Sequence, residues 1–248
     1  MLAIIGGSGL NRLPNLEASR REPVLTPYGE PSAPLTFGRM RGREVVFLAR
    51  HGDDNAIAPH EINYCANIWA LHARGAKDAV AVASVGGIRA DLVPGTLLVP
   101  DQIIDYTYGR RHTFGARGSG GVRHIDFTRP YCEGLRRRLL EAARAAGVAV
   151  LDGGTYAATQ GPRLETAAEI DRLERDGAHV VGMTGMPEAA LAREIGLCYA
   201  AIAVVVNEAA GRGASASEVR LAQAAAVGER AVQRVQAVIE ELVARDGG

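Results

Sequence analysis

Continuous apolar runs at residues 2–5, 45–49, 79–83, 96–99, 180–181 and 200–206 restrict the fold more than any other feature of the sequence. A strand with one wet face alternates apolar and polar side chains. These runs mostly do not, so they read as strands covered on both faces, with helices as the covering layers. Amphipathic stretches at 61–73, 131–146, 165–176 and 187–195 supply such helices, and a last one extends from 217 to 244 with a kink expected near Gly228. Gly75, Gly147, Gly177 and Gly196 stand just past four of them, where a left-handed residue ends a helix. Pro187 suits a first helical turn, and Glu188 behind it complements the helix dipole. Alternating β and α segments define the α/β class, with a central mixed sheet flanked by helices. No repeat divides the chain, so residues 1–248 are expected to form a single domain.

Charge and composition remove several function classes. The 28 basic residues balance 28 acidic ones, which argues against a general nucleic-acid or anionic-membrane binder. At 47% hydrophobic and 23% charged, the chain is of ordinary globular composition. The longest apolar run, 199–206, falls far short of a membrane span, and the first residues lack the basic start of a signal peptide. A cytoplasmic location is the expectation. Cys65, Cys132 and Cys198 are odd in number and widely spaced, which reads as buried free thiols rather than a disulfide framework or a zinc site.

Four strand ends carry residues that a core would not choose. Gly6-Gly7-Ser8-Gly9 follows the first run; by itself it is either a tight turn or a place where glycines let backbone amides approach an anion and Ser8 adds a hydroxyl. Arg50-His51-Gly52 follows the second, and a guanidinium fork matches phosphate oxygens. Ala83-Ser84 precedes a glycine pair, and Thr184 precedes a helix that it either caps or opens as an anion site. Together these ends converge on one anion site. Glu165, in a turn entering a helix, either complements the dipole or accepts a hydrogen bond from a heterocycle. Asn207, at the end of the 200–206 run, either caps the strand or reads the same heterocycle, with Glu208 and Ala209 beside it. The glycine- and arginine-rich stretch 109–122 reads either as a surface loop or as a loop over a site.

With these residues in hand, the sequence resembles the trimeric purine nucleoside phosphorylase and methylthioadenosine phosphorylase family over nearly its whole length. The markers are IIGGSGL at 4–10, RHG at 50–52, INYCANIWAL at 62–71, SVGGIR at 84–89, PGTLLVPDQIIDYT at 94–107, TQGPRLETAAE at 159–169 and VGMTGMPEAALARE at 181–194. The resemblance implies a distorted barrel within the mixed sheet and a homotrimer. It also implies phosphorolysis that uses inorganic phosphate as co-substrate, with no metal and no organic cofactor. It assigns phosphate to Ser8, Arg50, His51, Thr184 and the backbone around Ala83 and Ser84, and the ribose to Met183. Leu164 replaces an aromatic residue beside the base. His124 matches a residue that reaches the neighbouring subunit's 5′ pocket.

Glu165 with Asn207 matches the pair found in 6-oxopurine enzymes of the family. A carboxylate accepts from N1–H of hypoxanthine or guanine, whereas N1 of adenine is itself an acceptor. The segment 213–219 lacks the histidine that inosine-type enzymes carry for the 5′-hydroxyl. Small and apolar side chains there suit a methylthio group, so a methylthio-substituted 6-oxopurine nucleoside is the expected substrate, ahead of inosine or guanosine and of methylthioadenosine. The products would be free base and 5-methylthio-ribose 1-phosphate. Two readings of other classes stand beside this one: a histidine phosphatase built on His51, and a nucleoside-binding protein without turnover.

Overall fold

The computed structural model describes residues 1–115 and 123–245, so part of the expected 109–122 loop lies outside the described residues. The strands are β1 (Leu2–Gly6), β2 (Glu17–Glu22), β3 (Leu35–Met40), β4 (Arg43–Ala49), β5 (Asp78–Gly87), β6 (Leu97–Val99), β7 (Gln102–Asp105), β8 (Leu151–Asp152), β9 (Thr155–Ala158), β10 (Val180–Gly182) and β11 (Cys198–Glu208). The helices are α1 (Tyr64–Ala73), α2 (Glu133–Ala145), α3 (Ala167–Arg175), α4 (Gly185–Ile195) and α5 (Leu221–Arg245). Each apolar run lies in a strand, and each amphipathic stretch holds a helix. The four glycines past helix ends have φ of 85°, 67°, 92° and 80°, as their positions require.

All the strands join in one mixed sheet. Its main path runs β2-β3-β4-β1-β5-β10-β9-β7, and β11, β6 and β8 branch from β5. The expected barrel does not close. β11 pairs with β5 from Asp78 to Gly87 and so fills one edge. The other edge is shared by β1 at residues 78–81 and by β10, antiparallel, at residues 86–87. The sheet therefore forks at β5. Helices α2, α4 and α5 pack on β11, and α1 packs on α4. Among the described residues, no helix is long and apolar enough to cross a membrane.

Three local expectations are corrected. α5 starts at Leu221 and runs unbroken through Gly228, which is buried beside Val206. α3 starts at Ala167, because Thr166 caps it and exchanges hydrogen bonds with Glu169 in a capping box; Glu165 therefore stands just before the cap rather than in the first turn. Cys132 and Cys198 form a disulfide. Cys132 caps α2, Cys198 opens β11, and the Cys132 amide donates to the Tyr199 carbonyl at 2.7 Å, which brings the two chains together. Cys65 is a buried free thiol, and burial pushes its pKa up to about 11.

Candidate active site

Parallel strands β4, β1, β5 and β11 all end on the same side of the sheet, where open α/β sheets bind ligands. A cavity of about 270 Å³ lies there, at the small end of the range for small-molecule sites. Ser8 after β1, Arg50 and His51 after β4, and Ala83 and Ser84 within β5 form one end of its lining. Leu164 and Glu165 arrive from the turn after β9, Met183 and Thr184 from the turn after β10, and Asn207 and Ala209 from the end of β11. Gly7 has a specific reason to be glycine: a Cβ there would sit 2.4 Å from the Val82 carbonyl oxygen and 2.9 Å from Arg50 Nη1. The close approach of β1 to β5 and to the guanidinium needs the bare backbone.

Arg50 is 1% exposed and its carboxylate partner Glu188 is 0% exposed. Nε donates to Glu188 Oε2 at 2.7 Å, Nη2 donates to Oε1 at 2.9 Å, and Nη1 donates to the Val82 carbonyl at 2.9 Å. Tyr199 adds its hydroxyl to Glu188 Oε1 at 2.7 Å. Burial opposes the arginine's charge, but the paired carboxylate more than restores it, and its pKa stands above the ordinary value. Three of the five N–H groups are occupied, leaving one on Nη1 and one on Nη2 without a partner among the described residues. Glu188 is thus more than a dipole partner, and its role escaped the sequence because a carboxylate in a first helical turn is commonplace.

His51 is largely buried, and its Nδ1 lies 2.8 Å from the Ile57 carbonyl, which fixes that nitrogen as the donor. Nε2 is left as an acceptor with no partner among the described residues. Burial lowers the histidine's pKa, and the neighbouring Arg50 charge lowers it further. Thr184 precedes α4 but makes no side-chain cap, so of its two sequence readings the cap is not realised. Its backbone amide donates to the Tyr156 hydroxyl at 3.3 Å. Gly182 makes that contact possible, since a Cβ there would sit 2.2 Å from the same hydroxyl.

At the opposite end, the Thr159 hydroxyl donates to Glu165 Oε1 at 2.6 Å, leaving the second carboxylate oxygen for a ligand donor. Asn207 is inside β11 rather than capping it. A register shift between Val205 and Asn207 marks a bulge, and as a result both Val206 and Asn207 line the cavity. The Asn207 amide nitrogen donates to the Glu208 carbonyl at 2.7 Å.

Two expected site residues lie elsewhere. Glu208 does not line the cavity, because the residue after Asn207 points to the other face of the strand. Its carboxylate accepts from the Ala214 amide at 2.6 Å and closes the short 3-10 turn Gly213–Ser215. His124 is exposed and outside this chain's cavity. The apolar wall also begins later than expected: Val219, Leu221 and Ala224 line the cavity, while residues 213–216 do not. Arg110, unremarked in the sequence beyond its place in a glycine-rich stretch, binds the two turns that carry Glu165 and Thr184. No cluster of three or more His, Cys, Asp or Glu side chains suited to a metal occurs among the described residues.

The phosphorylase superfamily model matches residues 1–244. A probable S-methyl-5′-thioinosine phosphorylase of Pseudomonas syringae pv. tomato is 56% identical over 210 residues, covering 85% of each chain. The 6-oxopurine nucleoside phosphorylase of Pyrococcus furiosus is 47% identical over 215 residues, covering 85% of this chain and 80% of its own. Among solved structures, methylthioadenosine phosphorylase from Schistosoma mansoni in complex with adenine superposes with a TM-score of 0.93 at 33% identity, covering 98% of this chain and 90% of its own. The fold is that of a nucleoside phosphorylase. The chain belongs to the phosphorylase superfamily. The histidine-phosphatase reading is set aside with that result. The last histidine, His179, is tied up structurally, accepting from the Thr155 amide at 2.8 Å.

Proposed function

We propose that the protein cleaves the N-glycosidic bond of a 6-oxopurine nucleoside by phosphorolysis, with S-methyl-5′-thioinosine as the preferred substrate. The observation that carries this reading is a carboxylate and an amide, Glu165 and Asn207, in the same cavity as a buried arginine with two free N–H groups. The free Glu165 oxygen accepts from N1–H of hypoxanthine, and the Asn207 N–H not held by the Glu208 carbonyl donates toward the N7 and O6 edge. Arg50, Ser8, Ser84, the backbone at Ala83 and Thr184 hold phosphate, His51 Nε2 accepts from the one protonated oxygen of the phosphate dianion, and Met183 lies against the ribose. Leu164 packs beside the base, with Ala209 against its edge.

The order of events follows from these positions. Phosphate is held against the face of C1′ opposite the base. The bond from C1′ to N9 breaks ahead of attack, and the bond electrons pass into the purine, where Asn207 stabilises the charge. The phosphate dianion stabilises the oxocarbenium-like sugar and then bonds C1′, giving ribose 1-phosphate carrying the 5-methylthio group. The protein's contribution is positioning and electrostatics, and the reaction calls on no metal or organic cofactor. Val219, Leu221 and Ala224 are the apolar wall that takes the methylthio group. They favour this substrate over inosine, the second reading, for which the Pyrococcus furiosus relative speaks.

One domain spanning the chain carries the site, and we place it in a homotrimer. His124 is exposed and away from its own cavity, which suits a residue that completes a neighbour's 5′ pocket. The activity is tested by incubating the protein with S-methyl-5′-thioinosine with and without inorganic phosphate and measuring free hypoxanthine. Release only with phosphate supports the reading. Stabilisation by nucleoside without release supports the non-catalytic alternative.

A further inference from the structure

We infer that Arg110 is a positioning residue that locks the base-recognition turn to the phosphate turn, so that each substrate's site is assembled only with the other's. All five of its N–H groups have acceptors. Nε donates to the Gln160 side-chain oxygen at 3.2 Å, and Nη2 donates to the Gln160 and Thr159 carbonyls at 2.7 and 3.3 Å. Nη1 donates to the Met183 and Met186 carbonyls at 2.7 and 2.6 Å, with the Tyr64 hydroxyl at 3.2 Å as a further acceptor. The guanidinium also sits over the Tyr64 ring, 5.4 Å from its centroid.

Apart from Tyr64 on α1, the partners belong to the two turns that leave the paired strands β9 and β10. The β9–β10 pairing ends at Gly182, where the Thr159 amide donates to its carbonyl at 2.8 Å, and Arg110 ties the turns together beyond that point. Thr159 and Gln160 leave β9 and lead to Leu164 and Glu165, and Thr159 itself bonds the Glu165 carboxylate. Met183 to Met186 leave β10 and carry Thr184. Four of the acceptors, two on each turn, are main-chain carbonyls, so Arg110 holds backbone positions on both sides in addition to the Gln160 and Tyr64 side chains. A planar fork with five fixed donors can hold four carbonyls at once, whereas an ammonium with three cannot. Its own segment is anchored in turn: the Thr113 hydroxyl and Phe114 amide donate to Glu194, a buried carboxylate on α4. Arg110 touches no lining side chain that contacts phosphate or base directly, and it acts through the two turns.

This inference rests on the cavity being a nucleoside–phosphate site, and the experiment separates the two. Arg110→Ala and Arg110→Lys are compared with wild type by steady-state phosphorolysis of S-methyl-5′-thioinosine, varying nucleoside and phosphate separately, alongside thermal unfolding. Wild type without phosphate-dependent release overturns the activity and not this inference. With wild type active, Arg110→Ala is expected to raise KM for both substrates and to lower kcat/KM by about a hundredfold, the cost of an ångström-scale misplacement. Millimolar guanidinium is expected to restore activity to the alanine variant where ammonium does not. A fall in kcat at unchanged KM for both substrates, with no guanidinium rescue, overturns the inference. If the alanine variant does not fold, Arg110→Lys decides: kcat/KM within twofold of wild type overturns it, and a loss on both substrates upholds it.

Discussion

Arg50 and Glu188, 138 residues apart in the chain, form a two-point ion pair inside the protein, with N–O distances of 2.7 and 2.9 Å. The pair fixes the guanidinium plane and leaves only its outer N–H groups for an anion. It also settles a problem of electrostatics. A buried arginine with no carboxylate would carry an uncompensated charge whenever the site is empty.

Glu188→Gln is expected to destabilise the protein by about 3–5 kcal/mol, the usual cost of removing one partner of a buried pair, and to raise the phosphate KM more than the nucleoside KM. Denaturant unfolding and initial rates at varied phosphate measure the two effects. Equal KM changes for both substrates would show that the pair does not orient Arg50 for phosphate.

His51 should impose an acid limit on stability. Its pKa is lowered in the fold, so below the unfolded-state value of about 6.5 the unfolded chain binds a proton that the native chain resists. Stability from this residue is present above that pH and is lost as pH falls below it. Unfolding of wild type and His51→Asn from pH 8 to pH 5 is expected to show a steeper acid loss for wild type. Parallel curves would contradict the buried neutral imidazole.

Asn207→Asp replaces an amide that can donate with a carboxylate that accepts. The variant is expected to gain on 6-amino purine nucleosides and lose on 6-oxo ones, shifting the kcat/KM ratio by about a hundredfold or more. An unchanged ratio of inosine to adenosine would remove Asn207 from base recognition.

The apolar wall carries its own prediction. Leu221→Ser is expected to reduce kcat/KM for S-methyl-5′-thioinosine relative to inosine by about tenfold, the scale of one or two lost apolar contacts. Competition between the two nucleosides in a single reaction measures the ratio directly, and no change would place the methylthio group elsewhere.

How far the sequence carries depends on the kind of contact. β1, β4, β5 and β11 were legible because burial on both faces leaves an unbroken apolar run. β2 was not: it lies at the end of the sheet path, where Glu17, Arg20, Arg21 and Glu22 blunt an edge. β7, β8 and β9 have two to four residues each, too few for a period. Ser8, Arg50, His51 and Thr184 stood out because a polar residue following an apolar run has little reason to be there except a ligand. Arg110 did not, since four of its acceptors are backbone carbonyls that no side-chain pattern encodes. The Cys132–Cys198 disulfide spans 66 residues, and only the pairing of the α2 cap with the start of β11 reveals it. Glu208 lies off the cavity lining and bonds the Ala214 amide, a local contact that its place beside Asn207 in the sequence does not announce.

The central claim is that Glu165 and Asn207 select a 6-oxopurine and the apolar wall selects a methylthio group. Phosphate-dependent base release from S-methyl-5′-thioinosine, inosine, guanosine and methylthioadenosine, measured side by side as kcat/KM, tests it most directly. S-methyl-5′-thioinosine as the best substrate, with methylthioadenosine the poorest, is the predicted order. Methylthioadenosine as the best substrate would contradict it.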